Sequence, residues 1–215
     1  QDELCNRDFP NLESVFLGLV DQLNQQPITV TVTVPEDVRA IVPAAPATID
    51  AVVTGEEFAD VSFQHLYSMD KGRILPRHIY AAKNNDFSWV AQGLADGLQA
   101  NTATGMYFTM LCSRQNSVTN DGDFFGAPYA QLAFKDADSD FFQGCRIFNV
   151  DPEGDAFTFA DNSTPTLILN GANDPITPQP YGEYVGSKLK TAYVYTFPGL
   201  GHGAILDSSC AANIA

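Results

Sequence analysis

Apolar residues in the first quarter of the chain predict a helix followed by a β-hairpin. Between Asn11 and Gln25 the apolar positions recur at helical spacing and form one continuous face, which predicts an amphipathic helix. The members of this face are Leu12, Val15, Phe16, Leu19, Val20 and Leu23. From Ile28 to Val34, apolar residues alternate with threonines, which predicts a half-buried strand. A proline-rich loop then leads to Ile49–Val53, a second strand that we expect to pair with the first.

Several helices are predicted to follow this hairpin. Thr54 and Glu57 have the spacing of a capping box, so a helix should open at Thr54 and continue to about Met69. Further helices are predicted over Leu75–Lys83, over Phe87–Leu98 and around Gly126 to Phe142. The apolar run Gly105–Cys112 fits either a strand or a buried turn of helix, because its periodicity does not distinguish the two.

The C-terminal part of the chain shows a different pattern. Thr166–Asn170 is a short apolar strand, Pro180–Leu189 a helix and Tyr193–Phe197 a second strand. This order predicts a parallel sheet. We therefore expect an α/β fold with two regions. Residues 1–150 would form a mostly helical lid that includes the leading helix and the hairpin, and residues 151–215 would form a segment of the core sheet.

Composition and charge exclude several classes of partner. The apolar fraction of 45% and the charged fraction of 17% are typical of a globular protein. A formal net charge of −15 argues against binding to nucleic acid or to an anionic membrane surface, since both favour clustered Lys and Arg. No stretch approaches the roughly 20 apolar residues that span a bilayer. The N-terminus does not resemble a signal peptide, so we expect either a mature start there or the removal of an upstream part.

The four cysteines are widely spaced, without a Cys-x-x-Cys motif or a nearby His at zinc-ligand spacing: Cys5, Cys112, Cys145 and Cys210. This spacing disfavours a metal site and favours structural disulfides in an oxidising compartment. It leaves all three pairings open. We accordingly expect a secreted protein with no metal and no cofactor.

Polar residues follow both predicted parallel strands. Asp174 comes shortly after the first strand, and His202 lies in a glycine-rich loop after the second. Because catalytic groups gather at the carboxyl ends of strands in open α/β sheets, we expect these two side chains to touch. A carboxylate so placed fixes the imidazole tautomer and stabilises the imidazolium that forms when the ring takes a proton from a serine. Thr177, shortly past the acid, is a candidate for a supporting hydrogen bond near the pair.

Each of these residues also has a purely structural interpretation. Asp174 before a proline fits a turn or a helix cap, the glycines around His202 fit a tight turn, and Thr177 fits a hydroxyl at a helix start. The acid and the histidine together, each after its own strand, favour the catalytic interpretation. His65 and His78 lie in predicted helices without an adjacent acid or nucleophile, and we expect structural or surface roles for them.

The nucleophile is the missing part of this arrangement. No Gly-x-Ser-x-Gly motif occurs in the sequence. Ser113 is the nearest alternative, but it lacks the small neighbours that a strained nucleophile turn needs, and it lies in the predicted lid. We therefore expect the serine and the oxyanion donors to come from an upstream polypeptide, without which this chain should be nearly inert.

At these residues the sequence resembles the secreted α/β-hydrolases of the tripeptidyl aminopeptidase and proline iminopeptidase type. The resemblance is to their C-terminal region and rests on Thr164–Pro178 and on Phe197–Gly203 with Cys210 following. Two looser segments, Phe9–Glu13 and Gly105–Ser113, extend it. It implies a triad in which Asp174 is the acid and His202 the base, with a lid inserted before the strand that leads to the acid.

The resemblance implies a serine hydrolase that acts on a peptide or an ester. Relatives often carry acidic residues after the Cys-Ser step, where this chain has Arg114 and Gln115, and this difference favours an esterase over an aminopeptidase. The alternative is a non-catalytic binding or structural protein that retains the hydrolase scaffold. The substrate, the disulfide pairing and the oligomeric state stay open at this stage.

Overall fold

A computed structural model describes residues 3–98, 104–112, 145, 147–148 and 163–215. These residues fall into two compact units, which are described separately below. The first unit takes its described residues from 1–19, 61–87 and 159–215, and the second takes them from 20–60 and 88–158. The predicted division into a lid over residues 1–150 and a core segment over residues 151–215 stays a prediction.

The second unit is built around the predicted hairpin. Strands β1 (Ile28–Thr33) and β2 (Thr48–Val53) pair antiparallel, from Ile28 opposite Val53 to Thr33 opposite Thr48. The threonine alternation has its expected effect, because Val32 is buried while the threonines on either side of it are exposed. Both predicted strands and their pairing are thus confirmed.

Helices cover and frame this hairpin. Helix α2 spans Leu12–Gln25, helix α6 spans Ser88–Leu98 and packs on β1, and helix α4 begins at Gly55. The buried side chains of the unit include Val20, Leu23, Val32, Val53, Phe58, Trp89 and Val90. The rings of Phe58 and Trp89 meet edge to face, with centroids 5.5 Å apart. The apolar face predicted for α2 therefore supplies part of this core, together with residues of α6.

The predicted capping box forms at the start of helix α4 (Gly55–His65). The backbone N–H of Thr54 donates to Oε2 of Glu57 at 2.9 Å, and the N–H of Glu56 donates to Oγ1 of Thr54 at 3.2 Å. The predicted end near Met69 is wrong. The helix stops at His65 because Ser68 has an extended backbone (φ −112°, ψ 130°), and a new helix starts immediately after it.

Other boundaries differ from the sequence prediction. Helix α5 runs over Met69–Lys83, so it begins six residues before the predicted Leu75 and accommodates Pro76 in its interior. Short helices α1 (Glu3–Asp8) and α3 (Glu36–Ile41) were not predicted, and α3 lies inside the proline-rich loop. Six residues are too few to show a helical periodicity, so the sequence pattern does not predict these two helices.

The ambiguous apolar run is a helix and carries a disulfide. Helix α7 spans Thr104–Cys112, and Cys112 is bonded to Cys145. The expectation of a structural disulfide is confirmed for this pair, both members of which are buried. The helix predicted around Gly126 to Phe142 lies outside the described residues.

The first unit contains the predicted parallel pair. Strand β3 (Thr166–Gly171), helix α8 (Gln179–Lys188) and strand β4 (Ala192–Phe197) follow one another, and β3 pairs parallel with β4 from Thr166–Ala192 to Gly171–Phe197. Helix α8 packs on both strands. The strand–helix–strand interpretation is confirmed. Two short helices that were not predicted, α9 (Ala204–Asp207) and α10 (Ser209–Ile214), complete the unit.

Close packing at Gly55 generates a stability prediction. A Cβ on this residue would lie 2.2 Å from the carbonyl oxygen of Val20 and 2.8 Å from Cγ of Asn24, whose side chain accepts a hydrogen bond from the Gly55 N–H. We expect Gly55→Ala to lower the free energy of unfolding by about 1–3 kcal/mol in urea titrations, because backbone must shift to make room.

The matched control is Gly97→Ala in α6, where nothing lies within 4 Å of the added Cβ. This variant should be neutral, or more stable by up to about 1 kcal/mol from helix propensity. Equal effects at the two positions would contradict the packing argument.

Candidate active site

Asp174, the acid of the predicted pair, lies in the turn that follows the end of β3. Beyond Gly171 the ladder continues for one more residue, since the Ala172 N–H donates to the carbonyl of Phe197 at 3.0 Å. The chain then turns, and the Asp174 N–H approaches the Gly171 carbonyl at 3.3 Å. As a result the Asp174 side chain is buried at the sheet edge and only 5% exposed.

Hydrogen bonds from the following turn fix the carboxylate of Asp174. Its Oδ1 accepts from the backbone N–H groups of Ile176 at 2.8 Å and Thr177 at 3.0 Å. Its Oδ2 accepts from the hydroxyl of Thr177 at 2.8 Å. These donors leave the plane of the carboxylate no freedom to rotate without breaking a bond.

The same contacts set the charge state of Asp174. Burial acts to raise its pKa, but the hydrogen bonds from Thr177, Ile176 and His202 favour the ionised form more strongly, and the pKa lies below its ordinary value of 3.8. The group is therefore a carboxylate at neutral pH, and in this form it can accept a hydrogen bond from a protonated imidazole nitrogen.

The histidine loop reaches the acid because it packs closely against the end of β3. A Cβ on Gly171 would lie 2.0 Å from the carbonyl oxygen of Gly201, so only glycine fits at the end of β3. The Asn173 N–H donates to the carbonyl of Leu200 at 2.9 Å and ties the acid loop to the histidine loop. Gly199 and Gly203 adopt positive φ angles of 75° and 74°, which favour glycine.

Asp174 and His202 are in contact, as the sequence predicts. Nδ1 of His202 lies 3.0 Å from Oδ2 and 3.1 Å from Oδ1 of Asp174. A carboxylate can only accept, so Nδ1 carries the proton, and in the neutral ring the lone pair is then on Nε2. The His202 side chain is 36% exposed. Among the described residues, no hydrogen-bond partner occupies Nε2.

Thr177 acts on the acid rather than on the base. Its hydroxyl is 2.8 Å from the Asp174 carboxylate but 3.4 Å from Nδ1 of His202, and it is already engaged as a donor to the acid. The structure thus brings together all three residues selected from the sequence. Their catalytic roles stay a proposal.

The other residues considered from the sequence are not part of this arrangement. The rings of His65 and His78 pack against each other edge to face at 5.4 Å, and Nδ1 of His65 lies 2.9 Å from the carbonyl oxygen of Val61 one turn earlier. These contacts fit the structural role expected for them. Ser113 lies outside the described residues. Within the described ranges, no group of three or more His, Cys, Asp or Glu side chains is arranged to hold a metal ion.

Tyr67 is the neighbour of His202 that sequence reasoning missed. It lies in the turn between α4 and α5, and its ring meets the imidazole at 5.3 Å with an interplanar angle of 80°. No local motif marks it. Because it lies far from the histidine along the chain, only tertiary packing brings the two rings together.

Comparison with known proteins gives a match to one family model, over the C-terminal part of the chain. No solved structure matches the chain significantly. A family model described as TAP-like protein, of the α/β-hydrolase class, matches residues 130–215. The matched segment contains β3, β4, Asp174, Thr177 and His202. Over these residues the chain is therefore similar to the C-terminal portion of TAP-like α/β-hydrolases.

Proposed function

We propose that this chain supplies the acid and the base of a serine hydrolase, with the seryl nucleophile and the oxyanion donors coming from an upstream polypeptide. The observation that carries the proposal is the Asp174–His202 contact, in which Nδ1 faces the carboxylate and Nε2 has no partner among the described residues. This is the polarity that a general base requires. The hydrolase scaffold of residues 130–215 supports it.

The chemistry follows the acyl-enzyme route. Nε2 of His202 takes the proton of the serine hydroxyl as its oxygen attacks the substrate carbonyl, and the ionised Asp174 stabilises the imidazolium that results. The same nitrogen returns the proton to the leaving group, and the acyl-enzyme forms. Water then attacks the acyl-enzyme and loses its proton to Nε2 of His202. The bond to the seryl oxygen breaks, His202 returns the proton to that oxygen, and the carboxylic acid product leaves. No metal or cofactor takes part in these steps.

The substrate class in this proposal is a peptide or an ester. An esterase is favoured by Arg114 and Gln115, which stand where relatives often carry acids, although both residues lie outside the described ranges. Secretion is also part of the proposal. It is supported by the Cys112–Cys145 disulfide, because such bonds persist in oxidising compartments. In the described part of the chain, no helix has the length and apolarity needed to cross a membrane.

The deciding experiment uses a fluorophosphonate probe on the protein purified from its native source, together with an intact-mass measurement. We expect the probe to label a serine on the same polypeptide as this sequence or on one that copurifies with it. The mass identifies which of these holds. Absence of labelling in any assembly that contains this chain would favour the non-catalytic binding protein.

Variants of Asp174 and His202 should slow that labelling strongly. We expect His202→Gln and Asp174→Asn to slow the labelling rate by a factor on the order of 10⁴ to 10⁶, because the serine loses its base or the base loses its tautomer. Asp207→Asn is the matched control, since it neutralises a carboxylate that is exposed in α9. Wild-type rates in Asp174→Asn would contradict the assignment.

Removal of the Thr177 hydroxyl should affect stability in a pH-dependent way. The pKa of Asp174 is lowered in the folded state, so its ionised form stabilises the fold above the ordinary value of 3.8, and this contribution is lost as pH falls through the folded pKa. We expect Thr177→Val to raise that pKa and to cost about 1 kcal/mol of unfolding free energy at pH 7. In urea titrations the deficit should shrink below about pH 4.

The control for this effect is Thr166→Val. Its hydroxyl donates to the backbone carbonyl of Thr164, which does not titrate, so any deficit should be the same at both pH values. A Thr177→Val deficit that persists unchanged in acid would show that the hydroxyl does not act through the carboxylate.

Gly171→Ala tests the close approach of the two loops. The added Cβ would meet the Gly201 carbonyl at 2.0 Å, so the histidine loop must move away from β3. We expect a loss of about 1–3 kcal/mol in unfolding free energy. We also expect loss of the hydrogen-bonded Nδ1 proton signal of His202 in NMR spectra. The control is Gly18→Ala in α2, where the added Cβ has open space around it. This variant should neither lower the unfolding free energy nor remove the Nδ1 proton signal. An unaltered Nδ1 signal in Gly171→Ala would contradict the steric argument.

A further inference from the structure

We propose that Tyr67 is a positioning residue for His202, and that its ring holds the imidazole in the orientation that presents Nε2 outward. The proposal rests on the proposed function for its consequence in catalysis, but the orientation itself is a property of this chain. Its starting point is the perpendicular contact between the two rings, with centroids 5.3 Å apart.

Hydrogen bonds to Asp174 do not by themselves fix the histidine ring. They hold one atom, Nδ1, against the two carboxylate oxygens at 3.0 and 3.1 Å. The ring can still tilt about that contact and can leave it by rotation about its terminal side-chain torsion, which is broad for histidine. With the side chain 36% exposed, solvent offers competing partners to Nδ1. A second contact on the ring is needed to restrict these motions, and Tyr67 provides it.

The turn that carries Tyr67 is itself seated on both catalytic loops. A Cβ on Gly201 would lie 3.5 Å from the Tyr67 carbonyl oxygen and 3.4 Å from Cγ of Met69, so the turn packs directly on the residue before His202. Nδ2 of Asn173 lies 4.0 Å from the sulfur of Met69, which joins the turn to the loop of the acid. The backbone that carries Tyr67 is therefore packed against the loops of both His202 and Asp174.

Tyr67 also has support on its other side. Its ring meets that of Phe63 edge to face at 5.9 Å, one turn earlier along the chain. Phe63, Tyr67 and His202 thus form a row of perpendicular rings. Such pairs prefer a defined geometry because the edge of one ring is electropositive and the face of the other is electronegative. We infer that the ring of Tyr67, rather than its hydroxyl, performs the positioning.

The test compares Tyr67→Leu, Tyr67→Phe and Tyr80→Leu in this chain, labelled with ¹⁵N at histidine. Tyr80→Leu is the matched control, because Tyr80 also makes an edge contact, with Phe9, and its hydroxyl donates to the Pro10 carbonyl, and neither partner belongs to the site. We expect the Nδ1–H tautomer of His202 and its hydrogen-bonded proton signal to persist in Tyr67→Phe and Tyr80→Leu. In Tyr67→Leu the proton signal should broaden or vanish, and the other tautomer should appear.

In the intact protein that labels with fluorophosphonate, Tyr67→Leu should lower kcat about 2- to 10-fold with little change in KM, which is the range that corresponds to one aromatic pair. Tyr67→Phe should restore kcat. If Tyr67→Leu does not fold, Tyr67→Met keeps the volume and tests the same contact.

Three outcomes would overturn the proposal. These are an unchanged tautomer in Tyr67→Leu, an equal change in Tyr80→Leu, or loss of the signal in Tyr67→Phe, which would assign the effect to the hydroxyl. The NMR measurement does not need catalysis. A protein that never reacts with the probe, yet changes tautomer in Tyr67→Leu, would refute the proposed function and leave the positioning role intact.

Discussion

Close packing between the end of β3 and the loop that follows β4 holds this site together. Gly171 ends β3 with no room for a side chain, because the Gly201 carbonyl lies where a Cβ would stand. That proximity lets Asn173 donate to Leu200 and brings the acid loop beside the histidine loop. The contact between Asp174 and His202 follows from it, since each side chain projects from a loop that the other loop holds in place.

The turn after the acid does two things at once. Asp174 accepts the backbone N–H groups two and three residues further on, which is the hydrogen-bond pattern of an Asx turn. The structural and the catalytic interpretations of this aspartate are therefore compatible. The bonds that close the turn also fix the carboxylate, lower its pKa and direct it at the imidazole. Thr177 adds a third donor to the same group and in this way belongs to both interpretations.

The contact that Tyr67 makes with His202 differs in kind from the hydrogen bonds that hold Asp174. The acid is held by local hydrogen bonds from its own turn, whereas the imidazole meets the ring of Tyr67 from the α4–α5 turn. Hydrogen bonds fix directions at single atoms, and ring contacts fix the plane of a group. In the proposed role of His202 as a general base, these contacts specify both its tautomer and its orientation, so that it acts from one nitrogen.

The amino-acid pattern alone predicts the elements and the chemistry that depend on local rules. Threonine alternation gave the hairpin, the capping box gave the start of α4, and the strand–helix–strand order gave the parallel pair that places Asp174 near His202. Long-range packing, and not the local pattern, puts Tyr67 beside the histidine, requires glycine at Gly171 and pairs Cys112 with Cys145. The difference lies in the distance along the chain over which each effect acts. Propensity and periodicity act over a few neighbours, whereas these three features arise where segments distant along the chain are packed together.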